Sequence, residues 1–286
     1  MRDATGDTRR LPGDGPRVAT GVRAPAAFTV AGTALLLAMV VVQVMSGLDP
    51  KPVRLTSVVV LLLAASVVAF TSAAHGPRRA GAAFGAAVAA GYAAEWVGIR
   101  TGVPFGTYRY TDLLWPRPGG VPVVVAVAWG GMGLAAHAVA SMATRTQRRG
   151  ASTPRRGRLA RLAVGALALT AWDLFLDPQM IRLGLWTWAE EGPYRGVPLS
   201  DFAGWLVVSL LVMALIDPVL TGTSTGAAAV YTVMAFMETL AFAAVFVPPD
   251  PLVAATGGTA MGLFAALAWT RRIRGRKWER RWPWRR

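Results

Sequence analysis

Eight apolar stretches dominate this chain, at residues 27–46, 55–74, 80–98, 121–142, 159–177, 202–217, 226–247 and 254–270. A helix needs roughly 20 residues to cross the ~30 Å hydrocarbon core of a bilayer. Each stretch is near that length, although the sixth is short. Hydrocarbon offers no hydrogen-bonding partner, so every backbone N–H and C=O within it must be paired internally. These runs therefore restrict the chain to an all-α fold, a polytopic membrane helix bundle with about eight transmembrane helices. With 54% hydrophobic residues and 16% charged, no sizeable soluble domain is left. The integral membrane domain is expected over 26–271. A polar, basic tail at 1–25 has the composition of a disordered segment, and a second basic tail covers 272–286.

Charge sets the orientation. The segment 271–286 holds nine basic residues against the single acid Glu279, and 145–161 holds seven basic residues and no acid. Basic loops stay on the cytoplasmic side, which also places "HGPRR" (75–79) and both termini inside. The chain is expected to be a multi-pass protein of the cell membrane with cytoplasmic N- and C-termini. The net charge of +15 is then a topology signal with some attraction to anionic lipid, and no nucleic-acid partner is expected. No cleavage site follows the first apolar run, which is expected to remain as a helix. The absence of cysteine excludes disulfides, thiolate metal sites and Cys nucleophiles.

An internal echo organises the middle of the chain. Glu95, "PFGTYRY" (104–110), "GVP" (120–122) and Trp129 are followed in the same order by Asp173, "RLGLWTW" (182–188), "GVP" (196–198) and Trp205. The carboxylates stand 78 positions apart, as do Gly106 and Gly184, which aligns Tyr108 with Trp186 and Tyr110 with Trp188. The GVP triplets and the tryptophans stand 76 apart. Both copies, about 80–142 and 159–217, start inside, cross and return, so they form a parallel repeat. Such repeats pack about an axis along the membrane normal, with the functional site between them.

The carboxylates gather at the outer half of this topology. Glu95, Asp173, Asp177, Asp201 and Glu238 come from four helices, and of the acids close to helices only Asp217 falls toward the inside. A charge at mid-bilayer costs roughly 2.5–3.5 kcal/mol on insertion scales, so these acids should face the bundle interior. Asp173 and Asp177, at i and i+4, share a helix face and titrate as a coupled pair, from which one acid and one base can be made. Simpler roles compete: Asp177 precedes Pro178 and could only shape a helix-ending turn, and Asp201 could serve as a helix N-terminal residue favoured by the dipole. The interfacial belt accounts for Trp115, Trp278, Trp282 and Trp284. Tyr108, Tyr110, Trp186 and Trp188 differ, because alternation in an extended stretch puts both rings of a pair on one side. Aromatic faces around a cavity suit a polyene or a carbocation.

Much chemistry is excluded. Two separated histidines, His75 and His137, cannot build a di-iron hydroxylase or desaturase centre and read as structural. No phosphate-binding or dinucleotide fingerprint follows a strand. Glycine-rich runs such as "GAAFGAAVAAG" (81–91) read as small-residue helix packing. Chemistry by carboxylates, aromatics and water remains. An acid protonates an electron-rich alkene, a tertiary cation forms against aromatic faces, and a base either activates water or removes a proton to complete a cyclisation.

The segments "EWVGIRTGVPFGTYRYTDLL" (95–114), "GVPVVVAVAW" (120–129), "AWDLFLDPQMIRLGLWTW" (171–188) and "YRGVPLSDFAGW" (194–205) resemble the membrane carotenoid hydratase family, over roughly residues 80–250. The resemblance implies a hydro-lyase that adds water across the C1–C2 double bond of a ψ end group in an acyclic or monocyclic, bisanhydrobacterioruberin-like carotenoid. It implies no cofactor and no metal. The implied partners are membrane lipid, the carotenoid and other membrane enzymes of the carotenoid pathway. The resemblance carries no residue roles; from the carboxylate geometry, Glu95 and Asp173 are expected to form the acid/base pair with Asp177 tuning Asp173. Tyr108, Tyr110, Trp129, Trp186, Trp188, Trp205, Asp201 and Glu238 line the substrate site. A lycopene-type cyclase, an intramembrane prenyltransferase reading "DLFLD" as a metal motif, and a non-enzymatic transporter or accessory subunit are the competing readings.

Overall fold

The computed structural model describes residues 23–48, 53–145 and 154–281, with side chains described as far as Arg274. Among these residues there are eight long helices: α1 (Arg23–Leu48), α2 (Val53–His75), α3 (Pro77–Thr101), α4 (Val123–Ala143), α5 (Pro154–Arg182), α6 (Leu199–Ile216), α7 (Thr225–Leu240) and α8 (Pro251–Arg281). All eight are long and apolar enough to cross a membrane, so the protein is the expected polytopic bundle. The amino-terminal tail falls mostly outside the described residues. The carboxy-terminal basic segment continues α8 to Arg281, since Arg and Lys are good helix formers.

At the centre stands α4, where every residue from Ala128 to Ala143 is buried. Its composition explains this. Glycine, alanine and serine dominate, and small residues let neighbouring backbones approach closely. The flanking α1 is mostly exposed, with Val30, Leu37 and Leu48 each more than 60% open, a surface matched to lipid.

The two copies of the repeat relate by a two-fold. Helix α3 packs on α4 and α6, while α5 packs on α6 and α4, the exchange that an isologous pairing requires. The GVP triplets begin the second helix of each copy. Gly120 and Gly196 take φ 92° and 88°, a region open to glycine at no steric cost. Val121 and Val197 are fully buried, and Pro122 and Pro198 start α4 and α6 with φ −65° and −71°.

No strand was expected, yet the aromatic loops pair. Tyr108–Tyr110 (β1) and Trp186–Trp188 (β2) form an antiparallel ribbon in which Tyr108 faces Trp188, Arg109 faces Thr187 and Tyr110 faces Trp186. Arg109 and Thr187 are each other's repeat counterparts, so the two-fold passes between them. Three residues per strand is too short to register as a strand in a hydrophobic pattern.

A further correction concerns α5. The helix does not end at Asp177 but runs through Pro178 to Arg182. Proline lacks the N–H that would bond the carbonyl four residues back. That carbonyl, of Leu174, instead accepts a hydrogen bond from the Tyr194 hydroxyl at 3.0 Å. Asp177 is therefore inside a helix and 3% exposed, not a turn former.

At the opposite end of the bundle Asp217 ties three helices together. It pairs with Arg161 through Nε, and through Nη2 at 3.0 Å. Arg158 Nε lies at 3.4 Å and His137 Nε2 at 3.2 Å. Burial alone would raise the Asp217 carboxyl, but hydrogen bonds with His137 and Arg161 outweigh it and hold the group well below the usual carboxylate range.

Candidate active site

The ribbon lines one side of a cavity of about 50 Å³. Alternation turns Tyr108, Tyr110, Trp186 and Trp188 inward while Arg109 and Thr187 stay exposed. The cross-strand rings meet in pairs, Tyr108 with Trp188 at 5.1 Å between centroids and Tyr110 with Trp186 at 5.6 Å. Deeper in, Trp129 and Trp205 stack at 4.0 Å, one tryptophan from each copy. The close packing of Trp129 depends on Gly91, where an added Cβ would lie 2.4 Å from the indole Cγ.

Glu95 projects from α3 into this cage and accepts three hydrogen bonds. They come from Tyr108 Oη, from Tyr110 Oη at 2.7 Å and from Trp129 Nε1 at 3.0 Å. Burial first, and then the Glu95 charge, push both phenols well above their ordinary range, so each stays protonated and donates.

The second copy is built differently. Asp173, Asp177 and Asp201 are all buried, and one carboxylate oxygen of each lies within 4.8 Å of the others. Both oxygens of Asp173, Oδ2 of Asp177 and Oδ2 of Asp201 have no hydrogen-bond donor among the described residues. Three carboxylates this close keep fewer than three charges unless a cation joins them. The repeat counterparts of Asp177 and Asp201 are Ile99 and Val125, so the acids collect on one side of the two-fold. Asp201 sits in the first turn of α6, but no side chain caps that helix; its carboxylate joins the cluster instead.

Glu95, Asp177 and Asp201 line the cavity with Tyr108, Tyr110, Trp129, Trp186, Trp188 and Trp205. Asp173 does not. It is fully buried, with a carboxylate oxygen within 4.8 Å of those of the other two. Glu238 is not part of this group and belongs to a separate cavity with Gln43. The cavity also takes in Phe105, Thr56 and Ser57, which the sequence reading missed. Phe105 had a signal, since it lies within "PFGTYRY". Thr56 and Ser57 had none, because α2 lies outside the repeat.

The aspartate trio has the oxygen ligands that a divalent cation such as Mg²⁺ would use. A metal–diphosphate site also needs cations against the phosphates, and no Arg or Lys is among the described residues lining the cavity.

Residues 55–266 match the family described as carotenoid biosynthesis protein. The chain belongs to that family. The match encloses both copies of the repeat and the whole cavity. The bisanhydrobacterioruberin hydratase of Haloarcula japonica is 36% identical over 141 residues, which cover 49% of this chain. The aligned part spans 45% of that protein's own length. No solved structure matches.

Proposed function

We propose that the protein is a carotenoid hydratase, a hydro-lyase that adds water across the C1–C2 double bond of a ψ end group in an acyclic or monocyclic carotenoid. The observation that carries this reading is a cavity walled by aromatic rings, with carboxylates as its ionisable acid/base groups and no cationic side chain among its described lining residues. The similarity to a named hydratase supports the same class.

In this mechanism the aspartate cluster supplies the proton. Asp177 or Asp201 protonates C2, and the electron pair of the double bond forms the new C–H bond. The positive charge appears on tertiary C1, where the faces of Tyr108, Trp129, Trp186 and Trp188 attract it and the carboxylates oppose it. Water bonds to C1, and Glu95 takes the proton released from that water. A proton returned from Glu95 to the cluster completes the cycle, so the net change is one water added. Asp173 touches no substrate and acts as a positioning residue that sets how protons distribute over Asp177 and Asp201. Substrate enters from the lipid, and the proposed setting is the cell membrane with cytoplasmic termini, beside other membrane enzymes of the pathway.

Expression in a host that accumulates an acyclic carotenoid tests the reading. The expected product is heavier by one water, and purified protein should form it in the presence of a chelator. A product of unchanged mass would make the protein a cyclase. Strict Mg²⁺ dependence would return the prenyltransferase reading, and no conversion by purified protein would favour an accessory role.

A further inference from the structure

The repeat gives each aromatic of one copy a counterpart in the other, and the donors they carry end differently. In the first copy the Tyr108 and Tyr110 hydroxyls and Trp129 Nε1 all donate to Glu95. Their counterparts are Trp186, Trp188 and Trp205. Trp188 stands where the first copy has Tyr110, yet its Nε1 is buried and meets no acceptor among the described residues. A buried carboxylate without a donor is relieved by taking up a proton. An indole has no such escape, because its N–H only donates, and a buried donor left unpaired is costly.

Trp188 lines the cavity of the candidate site together with Glu95, Asp177 and Asp201. Asp177 Oδ2 and Asp201 Oδ2 also lack a partner, so the lining presents one donor and two acceptors that do not reach one another. Across such a gap one water serves both sides, accepting from the N–H and donating to an oxygen. A buried water takes roughly 10–15 Å³ and two to four polar partners. The cavity of about 50 Å³ has room for a few. Glu95 adds a further acceptor, since a carboxylate offers about four positions and it holds three hydrogen bonds. The indole N–H projects in the plane of the ring, so holding a water leaves a ring face free for a cation.

We propose that Trp188 holds the reacting water: its N–H donates to the water oxygen, whose own hydrogens point to the carboxylates of the cavity. The inference rests on the hydratase reading and adds to it the position of the nucleophile. The oxygen keeps a lone pair for the bond to C1, and Glu95 takes the released proton. Holding the water against C1 makes its capture effectively unimolecular. Without that hydrogen bond the cation still forms, but it returns a proton from C2 to a carboxylate and the double bond is restored. In heavy water a deuteron adds to C2 and the original proton leaves, so the recovered polyene carries deuterium.

Trp188→Phe removes the N–H and keeps an aromatic ring beside Tyr108. The full-length protein, in lipid nanodiscs prepared in heavy water, is given an acyclic polyene ending in the C1–C2 double bond. Hydrated product and deuterated recovered polyene are counted by mass at early times. The variant is expected to hydrate about tenfold more slowly while exchange continues, so the ratio of exchange to hydration rises about tenfold. A general loss of packing slows both and leaves the ratio unchanged; that result would overturn the proposal, as would an unchanged hydration rate. A cryo-electron microscopy map of the unmodified protein gives a second reading that stands even if the variant fails to fold. Water density within hydrogen-bonding distance of Trp188 Nε1 is expected, and an N–H turned onto a protein oxygen or a ring would overturn the assignment. Water held there in a protein that forms no hydrated product supports the water site and counts against the hydratase reading alone.

Discussion

Glu95 is the acid whose surroundings are most completely specified, and removing one of its donors gives the sharpest test of the mechanism. Tyr110→Phe deletes the hydroxyl at 2.7 Å from Glu95 Oε2 while keeping the ring packed against Trp186. Tyr108 and Trp129 still hold the carboxylate, so the side chain should stay in place. A hydrogen bond to a charged group contributes about 1.5–3 kcal/mol. If Glu95 must be held in position to accept the proton from water, that range lowers kcat by about 10- to 150-fold. Glu95→Gln removes the proton acceptor itself, and general-base contributions of about 10²- to 10⁴-fold set the expected loss. The glutamine retains a carbonyl for Trp129, and its amide can donate to a tyrosine hydroxyl, so folding is preserved. The assay is steady-state hydration in nanodiscs over a range of substrate concentrations, with product separated by chromatography and counted by mass, at matched protein levels. Tyr110→Phe should lower kcat with little change in KM. Wild-type rates from both Tyr110→Phe and Glu95→Gln would refute the reasoning and leave Glu95 a structural acid.

Three further outcomes are expected. Tyr194→Phe orphans the Leu174 carbonyl and should cost about 1–2 kcal/mol in unfolding; adding Pro178→Ala restores the missing N–H and should recover most of it, read from midpoints in a mixed-detergent titration. Asp217→Asn should destabilise by about 1–3 kcal/mol, discounted because Arg158 and Arg161 are partly open to solvent. Since the folded Asp217 carboxyl sits below its unfolded value, its contribution is fully present above the ordinary carboxylate range and lost as pH falls through the folded value, so wild type and variant should converge in acid. Gly91→Leu drives a side chain into Trp129, which should break its stacking on Trp205 and its bond to Glu95, and lower activity more than it lowers the thermal midpoint.

Much of the site was legible in the order of residues because a repeat reports on space. Glu95 aligns with Asp173, and the two alternating aromatic pairs align with each other, so a two-fold between them implies that the loops meet. The broken symmetry was harder to see. Ile99 and Val125 stand where the second copy has Asp177 and Asp201, yet only the packing of α5 against α6 shows that those two acids converge with Asp173. Glu238 looked like a fifth member because it lies at a similar depth. Depth along a helix does not fix the direction a side chain faces, and α7 presents it to α1 instead.

By itself the sequence determined that the chain has about eight helices long and apolar enough to span a membrane, that its acids must be sheltered, and that two copies of one unit face each other. Those conclusions rest on local quantities: the length of apolar runs, the cost of charge in hydrocarbon, and the spacing of like residues. The tertiary structure decided which carboxylates share a cavity, which one does not line it, and that α5 continues past Pro178. Each depends on a contact between distant segments, such as the Tyr194 hydroxyl on the Leu174 carbonyl or the three donors on Glu95, and no window of neighbouring residues contains such a contact.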